Sequence, residues 1–188
     1  MNIEYKVEFF TYWHCGSGLS AGADVDALVV KDNDELPFVP GKTVKGLLRE
    51  AMEDIATLKG ISIPSDRLFG GSSDGGENVA GEVFFSNAEF TDKDKKVLVA
   101  STVNANTKLK DYLYTSLSRT AIDKDGCAKE GSLRKLEVVL PCTLTGVIRN
   151  VPDKFGKDFI DGLRFIKRLG ANRNRGLGRC QFSVIQKK

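Results

Sequence analysis

No C-x-x-C pair occurs in this chain, and its four cysteines, Cys15, Cys127, Cys142 and Cys180, lie far apart. That scatter gives no paired zinc-ligand spacing. The adjacent His14 and Cys15 could ligate a metal but have no second spaced pair. Without a secretory leader, the thiols are expected to be reduced and the protein soluble and cytoplasmic. No apolar run approaches the length of a membrane span, so no membrane partner is expected. Histidine and tryptophan occur once each, which narrows the choice of acid–base catalysts. Charge of one sign is also scarce. The net charge is only +3, so a polybasic tail is excluded, although a local basic face is not.

Enough apolar material is present for a core. Of the 188 residues, 41% are hydrophobic, which fits one domain over 1–188 with an insertion. Ile3, Tyr5, Val7 and Phe9 alternate with Glu4, Lys6 and Glu8, the signature of a half-buried strand. The small-residue segment 15–23 is a loop. Leu36-Pro-Phe-Val-Pro-Gly41 is extended. Val44, Leu47, Leu48, Ala51, Ile55 and Leu58 then repeat at helical spacing, with Thr43 as the expected cap and Gly60 as the stop. A glycine-rich mobile loop is expected over 71–81, a second strand over 82–90 and a third over 136–148. Phe155, Phe159, Leu163 and Ile166 mark a second helix, and 180–185 a last strand. Residues 105–135 are polar and aperiodic, long for a plain loop in a compact domain. The resulting order is β-α-β-β-α-β, the α+β ferredoxin-like pattern related to RRM domains, with insertions.

Two basic elements stand out. Gly170-Ala-Asn-Arg-Asn-Arg-Gly-Leu-Gly-Arg179 joins a helix to a strand. Gly170, Gly176 and Gly178 permit close backbone approach, and Arg173, Arg175 and Arg179 offer planar forks suited to phosphate oxygens. Lys42, Lys45 and Arg49 share one face at the start of the first helix, where free N–H groups favour anions. Gly41-Lys42-Thr43 contains a P-loop triplet, but position 36 is leucine where that motif needs glycine, so nucleotide hydrolysis is excluded. Arg119 and Arg134 are further candidate RNA contacts. Tyr12, Trp13, Tyr112 and Tyr114 are candidate stacking platforms.

The run Leu36 to Arg49 resembles the proline-glycine-helix motif of the RAMP superfamily of CRISPR proteins. Leu68-Phe-Gly70 with Gly81-Glu-Val-Phe-Phe-Ser-Asn-Ala88 resembles the segment that follows it there, and Gly170 to Arg179 the family's glycine-rich loop. The similarity is greatest to the repeating backbone subunit of type III effector complexes. It implies a subunit that binds guide RNA (crRNA) and target RNA, and packs against other effector subunits and copies of itself. The stretch 120–129 is similar to the segment in which that subunit carries a β-hairpin thumb. The resemblance also implies metal-dependent cleavage of guide-paired target RNA at an aspartate. Asp26 matches best, as catalyst and as ligand to a divalent cation such as Mg2+, with Asp24 as the near competitor. A metal-independent nuclease processing precursor guide RNA through His14 is one alternative. A non-catalytic capping or backbone subunit is the other.

Overall fold

The computed structural model describes residues 1–22, 24–72, 78–104 and 107–187. Its elements are β1 (Ile3–Phe9), α1 (Gly41–Lys59), α2 (Ser65–Phe69), β2 (Gly70–Ser72), β3 (Asn78–Ala80), β4 (Phe84–Phe85) and α3 (Asp92–Ala100). There follow β5 (Thr102–Asn104), β6 (Thr107–Lys108), β7 (Tyr114–Arg119), β8 (Arg134–Val139), β9 (Thr143–Arg149), α4 (Gly156–Phe165) and β10 (Cys180–Lys187). The central sheet runs β10-β1-β9-β4, with every neighbouring pair antiparallel.

The alternation read from β1 holds. Ile3, Tyr5, Val7 and Phe9 are buried, whereas Glu4, Lys6 and Glu8 are not. Residues of α1 and α4 pack with these buried strand residues in one core. Phe69 stacks on Phe159 at 5.5 Å between ring centroids. Trp13, fully buried, stacks on Phe9 at 4.5 Å. Gly162 lets α4 approach α1, since a Cβ there would lie 2.7 Å from Leu48 Cδ1.

Several boundaries differ from those the sequence suggests. Helix α1 starts on Gly41 behind Pro40, without a side-chain cap from Thr43. A Cβ at position 41 would overlap the Phe85 carbonyl oxygen, and the Gly41 N–H donates to Asn87 Oδ1 at 3.0 Å. The proline-glycine step is therefore a seat for the β4 segment. Gly60 ends the helix in the left-handed region, as expected. Leu58, read as part of the apolar face, is exposed.

The strand expected over 82–90 shrinks to two residues, with isolated bridges at Ala88 and Glu89. The strand expected over 136–148 is two strands. Pro141 lacks an N–H, and the chain leaves one ladder for another around it. Part of the glycine-rich loop expected over 71–81 and the first residues of the 105–135 insertion lie outside the described residues, at 73–77 and 105–106. Position 23 of the small-residue loop does too. After β6 and a short 3-10 turn over Leu109–Leu113, the rest of the insertion forms a hairpin, β7 against β8, in register from Tyr114↔Val139 to Arg119↔Arg134. Its tip is folded as well, because Asp123 Oδ1 accepts from the N–H groups of Asp125 and Cys127 at 2.9 Å each.

Among the described residues, no helix is long and apolar enough to cross a membrane. The four cysteines are free.

Candidate functional site

The hairpin is held at its root by polar contacts that sequence reasoning missed. The His14 ring is buried, and Nδ1 lies 2.6 Å from the Glu137 carbonyl oxygen. A carbonyl can only accept, so Nδ1 carries the proton. Glu137 Oε2 accepts the Val29 N–H, and Oε1 accepts Lys31 Nζ, each at 2.8 Å. Lys31 Nζ sits 4.0 Å from the centre of the Tyr114 ring. Tyr114 donates its hydroxyl to the Glu35 carbonyl at 2.6 Å. Burial, foremost, and then Glu137 hold that hydroxyl protonated. The buried Lys110 ammonium donates to the Asp34 carbonyl at 2.9 Å and to Glu35 Oε2 at 2.5 Å, which lowers the Glu35 carboxyl below its ordinary range. These groups tie β7 and β8 to the 14–35 segment from both sides.

Asp26 lies on this framework. Its Oδ2 accepts the Lys135 N–H at 2.7 Å, and its own N–H donates to the Lys135 carbonyl at 2.9 Å. The Asp26 carboxylate is thereby set beside the end of the β7–β8 ladder nearest the hairpin tip. It lines a cleft of about 410 Å³ together with Arg119, Arg134, Lys135, Asn172 and Arg175. The expected catalytic aspartate and three expected RNA-contact arginines, from four separate segments, thus share one cleft. Asp24 does not line it; its N–H donates to Ala21 O at 3.2 Å in a turn.

The other candidates sort into neighbouring surfaces. His14 lines a second cleft, about 290 Å³, with Lys42, Thr43, Gly170 and Arg173. Lys42 and Lys45 border a third, about 650 Å³, beside Gly46 and Gly71. Arg49 faces that cleft too, but its guanidinium is occupied within the chain. It donates to Glu53, to the Gly70 carbonyl and to Asp66 at 2.7–2.9 Å. It ties α1 to α2 and β2, a structural role not evident from its place on the basic face. Among the described residues, the Arg173 guanidinium makes one long contact, 3.5 Å to Glu50. Arg179 lines a fourth cleft with Phe10, Lys167 and Arg168.

Two of the loop glycines have internal reasons. A Cβ at Gly178 would overlap the Leu169 carbonyl, and one at Gly170 would lie 2.5 Å from the His14 carbonyl. Gly176 instead supplies a positive φ of 91° beside open space. Of the aromatic candidates, Trp13 is core, Tyr114 belongs to the hairpin root, and Tyr12 and Tyr112 are exposed.

The resemblance implies a divalent cation at Asp26, and the donor set does not fit one held by this chain. Among the described residues Asp26 is the only carboxylate lining its cleft, and three arginines line it too. One of its oxygens is engaged by Lys135. Among the described residues, no group of three or more His, Cys, Asp or Glu side chains is placed to hold a metal. Hard dications take several oxygen ligands and avoid such positive surroundings.

The chain and its fold have relatives among known proteins. Over 204 aligned residues the chain is 24% identical to the CRISPR system Cms endoribonuclease Csm3 of Streptococcus thermophilus, covering 96% of this chain and 89% of that protein. Its fold matches a chain of the type III-B Cmr-beta complex bound to cognate target RNA, with a TM-score of 0.70, 14% identity and coverage of 98% and 97%. A chain of a type IV-B CRISPR complex matches with a TM-score of 0.66, 14% identity and coverage of 100% and 91%. The family model for the RAMP superfamily matches residues 6–181, and the chain belongs to that superfamily.

Proposed function

We propose that this chain is a guide-RNA-binding backbone subunit of a type III CRISPR effector complex that cleaves guide-paired target RNA at Asp26. The observation that carries the reading is the cleft beside the β7–β8 hairpin, which Asp26 lines with Arg119, Arg134 and Arg175. The sheet order fits a ferredoxin-like, RRM-related core. The outer face of that sheet carries mainly Glu4, Lys6, Glu8, Thr143, Gln181 and Ser183, with one exposed aromatic, Phe84, on its edge strand beside Arg149. Lys42, Lys45 and Arg173 contact the guide backbone, and Arg175 the RNA backbone at the cleft, without reading sequence. The β7–β8 hairpin reaches toward a neighbouring copy and separates guide from target. Other effector subunits complete the assembly.

In the cleavage step the Asp26 carboxylate accepts the proton of a target 2′-hydroxyl, and no part of the step is routed through a metal held by this chain. His14 is a poor processing catalyst, because its ring is buried and bonded to Glu137.

The test is co-expression of the chain with a guide array and the neighbouring effector genes, followed by purification through a tag on this chain. The expected result is a complex that retains short guide RNA. A naked protein that cuts repeat RNA unaided in chelator would point to the processing nuclease instead.

A further inference from the structure

Of the three arginines around Asp26, Arg134 donates one guanidinium nitrogen, Nη1, to the Gly131 and Leu133 carbonyls at 3.3 and 3.0 Å. Arg119 and Arg134 are direct partners across the antiparallel β7–β8 pair. Like charges opposite each other destabilise a strand pair. Arg175 reaches the same cleft from the loop, where Asn172 and Gly176 with positive φ bracket the turn of Arg173–Arg175. Among the described residues, none of the three arginines has a carboxylate within 4.0 Å. Asp26 is included in that statement: it shares the cleft yet is ion-paired to none of them. Three arginines thus border one cleft with a carboxylate. Guanidinium forks match phosphate oxygens, and a doubly charged phosphorane more than a singly charged diester.

We propose that Arg119, Arg134 and Arg175 clamp the scissile phosphate of the target against Asp26 and stabilise its pentacovalent intermediate. The proposal rests on the cleavage reading above and adds the groups that carry the transition-state charge. Asp26 Oδ1, the oxygen not engaged by Lys135, takes the 2′-hydroxyl proton. The 2′-oxygen–phosphorus bond forms, and the negative charge gathered on the non-bridging oxygens faces the guanidinium groups. The phosphorus–O5′ bond then breaks, and O5′ leaves with its electron pair and takes a proton from water. The products are a 2′,3′-cyclic phosphate and a 5′-hydroxyl, with no change of oxidation state. The two strands and the loop must all be in place for the clamp to form. Hairpin order and catalysis are thereby coupled.

The test uses the guide-loaded complex with Arg119→Ala, Arg134→Ala, Arg175→Ala and the matching lysine variants. Single-turnover cleavage is measured with a cognate target, and affinity with the same target carrying 2′-deoxyribose at the scissile position. Each alanine variant is expected to slow cleavage about 100-fold. Affinity for the deoxy target should change by less than about threefold in Arg119→Ala and Arg134→Ala, and in Arg175→Ala, which also weakens RNA binding, the fall in rate should exceed the fall in affinity. Lysine should restore only part of the rate, since it keeps the charge and loses the fork. Rates that fall only in step with affinity would overturn the clamp and leave the arginines as binding groups, as would wild-type rates in all three alanine variants. A wild-type complex that does not cut, or an Asp26→Ala complex that cuts normally, would overturn the cleavage reading beneath it.

Discussion

Asp26 and Lys135 are joined by two hydrogen bonds, one from the Lys135 N–H to the carboxylate at 2.7 Å and one from the Asp26 N–H to the Lys135 carbonyl at 2.9 Å. The second is backbone to backbone and survives any substitution except proline. Removing the carboxylate exposes one N–H at a solvent-accessible position. Asp26→Ala is therefore expected to cost about 1 kcal/mol or less of stability. Asp24→Ala, in the neighbouring turn, should cost no more. Thermal or urea unfolding of both variants checks this, and a loss of several kcal/mol at Asp26 would make it a structural residue.

The loop arginines Arg173 and Arg175 predict a salt effect. Replacing both with alanine should weaken RNA binding about equally for unrelated sequences. The slope of log affinity against log salt should fall by about 1.4, roughly 0.7 for each lost contact to single-stranded RNA. Filter binding over a salt series with two unrelated RNAs measures both. A loss confined to one sequence would contradict a backbone-holding role.

Lys42 and Lys45 allow stability and binding to be separated. The first turn of α1 has no acidic residue, and Lys42 is exposed and Lys45 half-buried. Acidic side chains near a helix N-terminus are stabilising, typically by about 0.3–1 kcal/mol each. Lys42→Glu with Lys45→Glu should thus leave stability unchanged or raise it, while guide retention drops. Unfolding with unaltered binding per folded molecule would assign this face to structure.

The thiols report on the fold and its hairpin. Burial pushes the Cys15, Cys142 and Cys180 thiols up to about 12, so at pH 8 they remain protonated as well as shielded. Cys127 is exposed at the hairpin tip. Alkylation of the native chain at pH 8, followed by peptide mass spectrometry, should modify Cys127 first. The other three should react only on unfolding or as pH approaches 12. Equal labelling of all four under native conditions would contradict the packing described.

What the sequence makes legible is local. The alternation of β1 and the period of α1 and α4 survive in the structure because each element buries one face against a common core. The hairpin escaped that reading because Thr115, Ser116 and Ser118 are exposed, so β7 buries no regular face. Helix α3 has no buried residue and hence no apolar period to detect. The 140–142 break shows how one proline ends a ladder inside an apolar run. For the site, residue types and motifs pointed to Asp26 and to the arginines separately. Their meeting depends on pairings between residues more than a hundred positions apart, such as Asp26 with Lys135. No spacing rule reaches that far. Arg49 shows the converse, a cation on the expected face whose partners, Asp66 and the Gly70 carbonyl, come from elements not predicted.

Cleavage of a cognate target by guide-loaded complexes carrying wild-type chain, Asp26→Ala or Asp24→Ala is the most direct measurement. An exposed carboxylate repels phosphate, so its removal should leave target affinity equal or slightly higher. If it accepts the 2′-hydroxyl proton, its loss acts mainly in the transition state and lowers rate rather than affinity. The expected result is abolished cutting in Asp26→Ala, with target binding intact and a milder effect in Asp24→Ala. Equal cleavage rates for wild type and Asp26→Ala, at equal target occupancy, would contradict the assignment of this cleft as the cutting site.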